Sequence, residues 1–425
     1  MNPETPKQPI PPWVRLLIAA AIAWHLLAVL APAWVTVSSK PSRGRDFASY
    51  YYALQVARDG GDAYARGSLG SAARQDGERR GVHPFLYPPP FLLLMSWALP
   101  LDLMSSYHLW FWLDEMWMLL SVLALWRWWR PLGPAVGATL AVMVALNTAI
   151  PANHVMGQAN FPGLALAILG LWASDRQRPI LGGALVGAAC MVKMSPALFV
   201  GWWLMKGRWR EVFSACAAAV LLSIVALPLM GFEQQLAFYQ RVLRTFGSGD
   251  YNGLTVPIGM FGNHSIPNLL NQALPGQGRT LSWVAQALSS VSMIGIIVGL
   301  GALFHGRRED LLSQANQVGA IGIALLLVPV YTYEHHCIWA LPAVVSVVTA
   351  CVLGRLGPRW WIPVALACTV WCVEIMHLKA MFTAVSDLPV LPWLLQELKF
   401  AALLMLGIAA SVAGSSYNAH EPEFQ

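Results

Sequence analysis

Apolar runs of about 18 to 25 residues recur along this chain, each long enough to cross roughly 30 Å of hydrocarbon as a helix. Backbone in hydrocarbon must satisfy its own hydrogen bonds, so such runs fold as α-helices. A closed barrel would show short alternating segments instead. Only 11% of the residues are charged and 57% are hydrophobic. The chain therefore reads as an all-α polytopic membrane protein, a single integral membrane domain over residues 1–425. Apolar segments fall near 13–36, 88–101, 105–126, 134–150, 160–174, 180–192, 195–205, 211–230, 281–304, 314–332, 336–354, 360–382 and 390–413. Several are too short to span alone, so about 10 to 12 true spans are expected. The first run is longer than a signal-peptide core and reads as an uncleaved helix.

Charge patterning orients the bundle. The connections at Asp175–Arg178, Lys206–Arg210, His305–Arg308 and Arg355–Arg359 are basic, which assigns them to the cytoplasm. The first loop, 37–87, the region 231–280 and the turn at 332–336 then face the extracytoplasmic side of an inner (plasma) membrane. Segment 180–205, lying between two cytoplasmic connections, must enter and return as two half-helices meeting near Lys193–Pro196. Arg127–Arg130 reads as cytoplasmic by charge and as extracytoplasmic by simple alternation. The net charge of +6 fits basic loops against anionic lipid rather than nucleic-acid binding. All six cysteines lie in or beside apolar segments, so no disulfide or zinc framework is expected.

The first loop concentrates charge. Between Lys40 and His83 lie 13 of the chain's 48 charged residues. Within it, Phe47, Tyr50, Tyr51 and Leu54 repeat at helical spacing and predict a helix from Asp46 to Arg58. Such a helix lies in the membrane interface or packs on the bundle as an ordinary loop helix. Asp46 at its head is either a helix cap or a general base at the membrane surface.

Other polar residues sit at the mouths of apolar segments. Lys193, followed by the helix-breaking Pro196, either faces an anionic group such as a phosphate or snorkels to the interface. Glu334-His335-His336 is spaced poorly for a metal and better for recognising substrate or phosphate. Gln158 and Asn160, and Asn263 and His264, present amide and imidazole groups suited to sugar hydroxyls or to helix capping. Asp114 and Glu115 lie inside an apolar run with no partner evident from sequence. No Walker, Rossmann or HExxH pattern is present.

These stretches, in order, resemble the GT-C membrane glycosyltransferases of glycosyltransferase family 87. The set comprises Asp46-Phe47 with Tyr50-Tyr51 and the Gly61–Tyr64 turn, Tyr87-Pro88-Pro89, Gly157–Asn160, Lys193–Pro196, Gly262–Ser265 and Glu334–His336. Beyond residue 340 only generic spans are recognisable. The resemblance implies a GT-C type bundle and transfer of a sugar, mannose by family default, from a polyprenyl-phosphate donor. The acceptor would be an envelope glycolipid or polysaccharide, and no nucleic acid is involved. It implies Asp46 as catalytic base. It implies substrate contacts from Arg45, Tyr50, Tyr87, Gln158, Asn160, Lys193, Asn263, His264, Glu334, His335 and His336, with Arg43 or Arg45 also able to hold the departing phosphate. Asp46 has no adjacent acid, unlike the paired acids of many GT-C enzymes, which implies a reaction without a metal or other cofactor. A flippase for lipid-linked saccharides and a non-catalytic subunit of an envelope-assembly complex are the alternatives. The asymmetric layout and the lone Asp outside the bilayer speak against the flippase.

Overall fold

A computed structural model describes residues 10–39, 44–78, 81–277, 279–306 and 310–415, with the backbone alone for Arg45. Arg43, Arg307, Arg308 and the Arg45 side chain, all assigned roles above, lie outside the described residues. Every regular element among the described residues is helical. Six helices are long and apolar enough to cross a membrane, or eight if each of two bent pairs is one span. The remaining apolar runs form shorter helices, including Pro179–Val192 and Leu311–Leu327, and the protein is a multi-pass membrane protein.

The principal helices are α1 (Pro12–Ser39), α2 (Arg45–Arg58), α3 (Leu103–Trp129), α4 (Pro134–Leu146), α5 (Ala149–Met156), α6 (Asn160–Asp175), α7 (Pro179–Val192) and α8 (Ala197–Met205). They continue with α9 (Trp209–Met230), α10 (Trp283–Phe304), α11 (Leu311–Leu327), α12 (Leu341–Val352), α13 (Trp361–Cys372), α14 (Ile375–Ala384) and α15 (Leu391–Ser415). α1 widens into a π-helical segment at His25–Leu30.

The 88–101 run does not form a long helix. Pro88-Pro89-Pro90 leads into one short helix, Phe91–Met95, and a 3₁₀ turn, about 8 Å of rise where a span needs roughly 30 Å. The chain thus stays at one end of the bundle, and α3 then carries it to the other. There the Trp128 indole donates to Asp175 at 3.0 Å, which puts Arg127–Arg130 beside the Asp175–Arg178 connection and removes the conflict between charge and alternation.

Segment 180–205 folds as two half-helices, as expected. α7 is rich in Gly and Ala, which lets backbones approach. A Cβ on Gly170 would meet Val186 at 2.7 Å and the Gly182 carbonyl at 2.8 Å. One on Gly183 would overlap the Glu211 carbonyl oxygen in α9. At one end of this layer Lys193 meets Asn160. At the other, Ser174 donates to Glu211 at 2.7 Å and accepts from Arg208 at 3.3 Å. Two successive basic connections therefore share one end.

Helix α2 begins one residue earlier than predicted. Phe47, Tyr50, Tyr51 and Leu54 are buried, but so are Tyr52 and Ala53. Protein surrounds this helix on more than one face, so it is a loop helix packed on the bundle and does not present an apolar face to lipid. Gly44 caps it with φ +83°, and a Cβ there would strike the Tyr107 ring at 2.6 Å.

Candidate active site

Asp46 lies in the first turn of α2 without capping it, since no side chain bonds the helix N-terminus. Its carboxylate instead meets His83 Nδ1 at 3.1 Å, and both side chains keep partial exposure (16% and 20%). A carboxylate can only accept, so Nδ1 carries the proton of this bond. Burial acts to raise the Asp46 carboxyl. The His83 hydrogen bond and the neighbouring imidazoles outweigh it and hold the group below its ordinary value. Asp46 is thus an anion with one edge open.

Beside it stands a hydroxyl and amide cluster from three elements. Tyr50 of α2 donates to Tyr87 at 2.6 Å, and Tyr87 donates to Gln158 Oε1 at 2.8 Å. The Tyr50 hydroxyl also lies 3.4 Å from Gln158 Oε1. Burial and the Asp46 charge push the Tyr87 phenol far above its usual value, and burial does the same to Tyr50, so both remain protonated donors. Gln158 follows Gly157, whose φ of +66° ends α5. A Cβ on Gly157 would meet the Phe47 Cβ at 2.6 Å. That close approach brings the Gln158 turn against α2.

Lys193 belongs to the same polar region. It leaves α7 in an extended conformation, and Nζ donates to Asn160 Oδ1 at 2.7 Å. Asn160 in turn donates to the His335 carbonyl at 3.0 Å. Asn160 also donates to Asn153, which donates to the Gln158 carbonyl at 3.3 Å, so hydrogen bonds tie Lys193 and the His335 turn to the Gln158 turn, although 177 positions separate Gln158 from His335. Lys193 is not a snorkelling lysine; it is turned into the protein.

The other predicted contacts have partners within the protein, and the His336 ring lies 4.2 Å from that of His335. His336 Nδ1 accepts the Tyr333 backbone N–H at 3.0 Å and caps the 3₁₀ turn Glu334–Ala340. Glu334 binds Lys399 of α15 at 2.6 Å and accepts a short hydrogen bond from Thr148. Asn263 donates to the carbonyls of Ile258 and Val330, both at 2.9 Å, and accepts from the Thr332 N–H. Its side chain is spent on holding two loops together. His264 is fully buried, 4.0 Å from Glu334. Glu334, Asn263, His264 and His336 thus shape the turn that presents His335.

Sequence reasoning missed His83 and Lys399. A His in a polar loop carries no pattern, and a Lys inside a late apolar run does not reveal its partner. Among the described residues no group of three or more His, Cys, Asp or Glu is placed to hold a metal ion.

The sequence profile of glycosyltransferase family 87 matches residues 85–329. That stretch takes in Tyr87, Gln158, Asn160 and Lys193. A polyprenol-phosphate-mannose-dependent α-(1-2)-phosphatidylinositol mannoside mannosyltransferase of Mycolicibacterium smegmatis is 24% identical, over 96% of this chain and 94% of its own length. A related phosphatidylinositol pentamannoside mannosyltransferase of the same organism is 27% identical over 51% of this chain and 50% of its own. A phosphatidylinositol mannoside mannosyltransferase of Mycobacterium tuberculosis is 23% identical over 49% and 44%. No solved structure matches the chain significantly.

Proposed function

The chain belongs to glycosyltransferase family 87 and is a membrane glycosyltransferase, and from that membership we propose that it transfers mannose from a polyprenyl phosphate to a membrane glycolipid. The observation that carries this reading is an anionic, partly open Asp46 together with a Lys193 turned into the protein in the same polar region. A base on one side and a cation on the other are what a single displacement at an anomeric carbon requires.

In the proposed step the acceptor hydroxyl loses its proton to Asp46 as its oxygen bonds to the anomeric carbon. The bond from that carbon to the donor phosphate breaks, and its electron pair leaves with the polyprenyl phosphate. Lys193 receives the charge that gathers on the phosphate. No proton is needed by the leaving group, so one carboxylate suffices, in contrast to the acid and base pair of inverting glycosidases. A β-linked donor then gives an α-glycoside, and nothing in the step calls for a metal. Tyr50, Tyr87 and Gln158 are suited to the sugar hydroxyls, and His335 to the sugar or phosphate. The site would face the extracytoplasmic side of the plasma membrane, where the basic ends of the bundle, on the cytoplasmic side, lie farthest from it.

The test is transfer by purified protein in detergent from polyprenyl-phosphate mannose to phosphatidylinositol mannoside. Asp46→Asn keeps shape but cannot accept the proton, and its turnover should fall by about 10²–10⁴-fold with donor binding retained. Full transfer by this variant would remove Asp46 as the base.

A further inference from the structure

A line of buried polar side chains leads away from the site. Lys193 Nζ donates to Asn160 Oδ1 at 2.7 Å, and Asn160 Nδ2 donates to Asn153 Oδ1 at 2.9 Å. Asn153 Nδ2 donates to Asp114 Oδ2 at 2.7 Å. Behind Asp114, His154 bridges its Oδ2 at 2.8 Å and Glu115 Oε2 at 3.0 Å. Glu115 Oε1 meets His25 at 3.1 Å, in the π-helical segment of α1. Asp114, Asn153, His154 and Asn160 are all fully buried.

The line has a direction. Asp114 as a carboxylate only accepts, so the amide of Asn153 must turn its NH₂ toward it and its oxygen toward Asn160. Asn160 must then turn its NH₂ toward Asn153 and its oxygen toward Lys193. The ammonium only donates, so it completes the series. Reversing either amide would set donor against donor or acceptor against acceptor at two contacts. Asn153 also donates to the Gln158 carbonyl at 3.3 Å, and Asn160 to the His335 carbonyl at 3.0 Å. The same two amides therefore tie three site residues from three elements to one buried carboxylate.

We infer that Asp114, acting through Asn153 and Asn160, is a positioning residue that aims the Lys193 ammonium at the donor phosphate. His154, Glu115 and His25 anchor Asp114 from behind. This rests on the phosphate role proposed above for Lys193. Asp114→Asn removes the obligate acceptor and lets both amides turn over. Asn153→Leu interrupts the series at similar volume.

The probe is polyprenyl phosphate, the leaving group without its sugar, and the readout is its dissociation constant for the full chain in detergent, from ligand-dependent thermal stabilisation. Asp114→Asn and Asn153→Leu should each weaken binding about tenfold or more, the scale of one hydrogen bond to a charged group. On a Lys193→Met background neither should weaken it further, because residues acting through one group are not additive. Unchanged binding in both single variants, or equal losses with and without Lys193, overturns the inference while leaving the role of Lys193 intact. So does failure of both variants to yield folded protein, which would make the line a folding element. Unchanged binding in Lys193→Met removes the phosphate role itself, and this inference with it.

Discussion

The base role proposed for Asp46 requires the ionised carboxylate. Its hydrogen bond to His83 opposes a burial that would otherwise raise the carboxyl. The folded group is therefore held below the ordinary aspartate value near 3.9, and its charge is lost only as pH falls below that value. Wild-type transfer should show no appreciable loss attributable to Asp46 above about pH 5. In His83→Ala, burial acts without its counterweight, and the acid limb of the rate profile should move upward. Initial rates across pH in the two proteins check this, and superimposable profiles would remove His83 from the site. Asp46 was legible in the sequence because an acid heading an amphipathic loop helix stands out among apolar spans. His83 was not, since the rest of α2, a short helix at Ser68–Gln75 and two loops separate the pair and no periodicity links them.

Among the elements, α15 has the least obvious part in the site. It places Lys399, 1% exposed, 2.6 Å from Glu334, and so anchors the turn that carries His335. Removing one partner of a buried pair strands the other charge and costs about 3–5 kcal/mol, whereas neutralising both restores much of that loss. Lys399→Met should therefore lower unfolding stability in detergent by that amount, and Lys399→Met with Glu334→Gln should recover part of it. Chemical denaturation of the three proteins decides this; equal stability would mean that the pair is solvated. Glu334 was recognisable as polar residue between apolar helices, yet its use was not. Whether a carboxylate contacts substrate or a lysine 65 positions away depends on how α15 packs against α11, which helical periodicity within one segment does not encode.

Over the whole molecule, two charged residues of the first loop hold that loop in place. Arg241 binds Asp62 at 2.5 Å, Arg66 pairs with Asp250, and Asn252 donates to the Tyr64 carbonyl at 2.9 Å. These contacts clamp the first loop to the 231–280 region, and Asp46 is left facing the site. At the far end, Arg127–Arg130, Asp175–Arg178 and Lys206–Arg210 gather, joined by Arg355, which binds Asp310 at 2.7 Å. A membrane-impermeant maleimide applied to intact spheroplasts should therefore label Ser71→Cys and spare Arg178→Cys in a background without the native cysteines. Labelling of both, or of Arg178→Cys alone, would reverse or abolish the proposed sidedness. The class of fold and the existence of long spans were legible from residue order alone, because crossing hydrocarbon demands runs whose length and apolarity are written locally. Residue order also singled out Asp46, an acid heading a loop helix, and Lys193, a charge between two apolar half-helices. Packing alone shows that 88–101 turns back, that α2 packs on the bundle, and which partners His83, Lys399 and Asp114 take. Each of those depends on which distant polar groups meet once the helices pack, and a buried charge takes whatever partner the packed bundle brings to it.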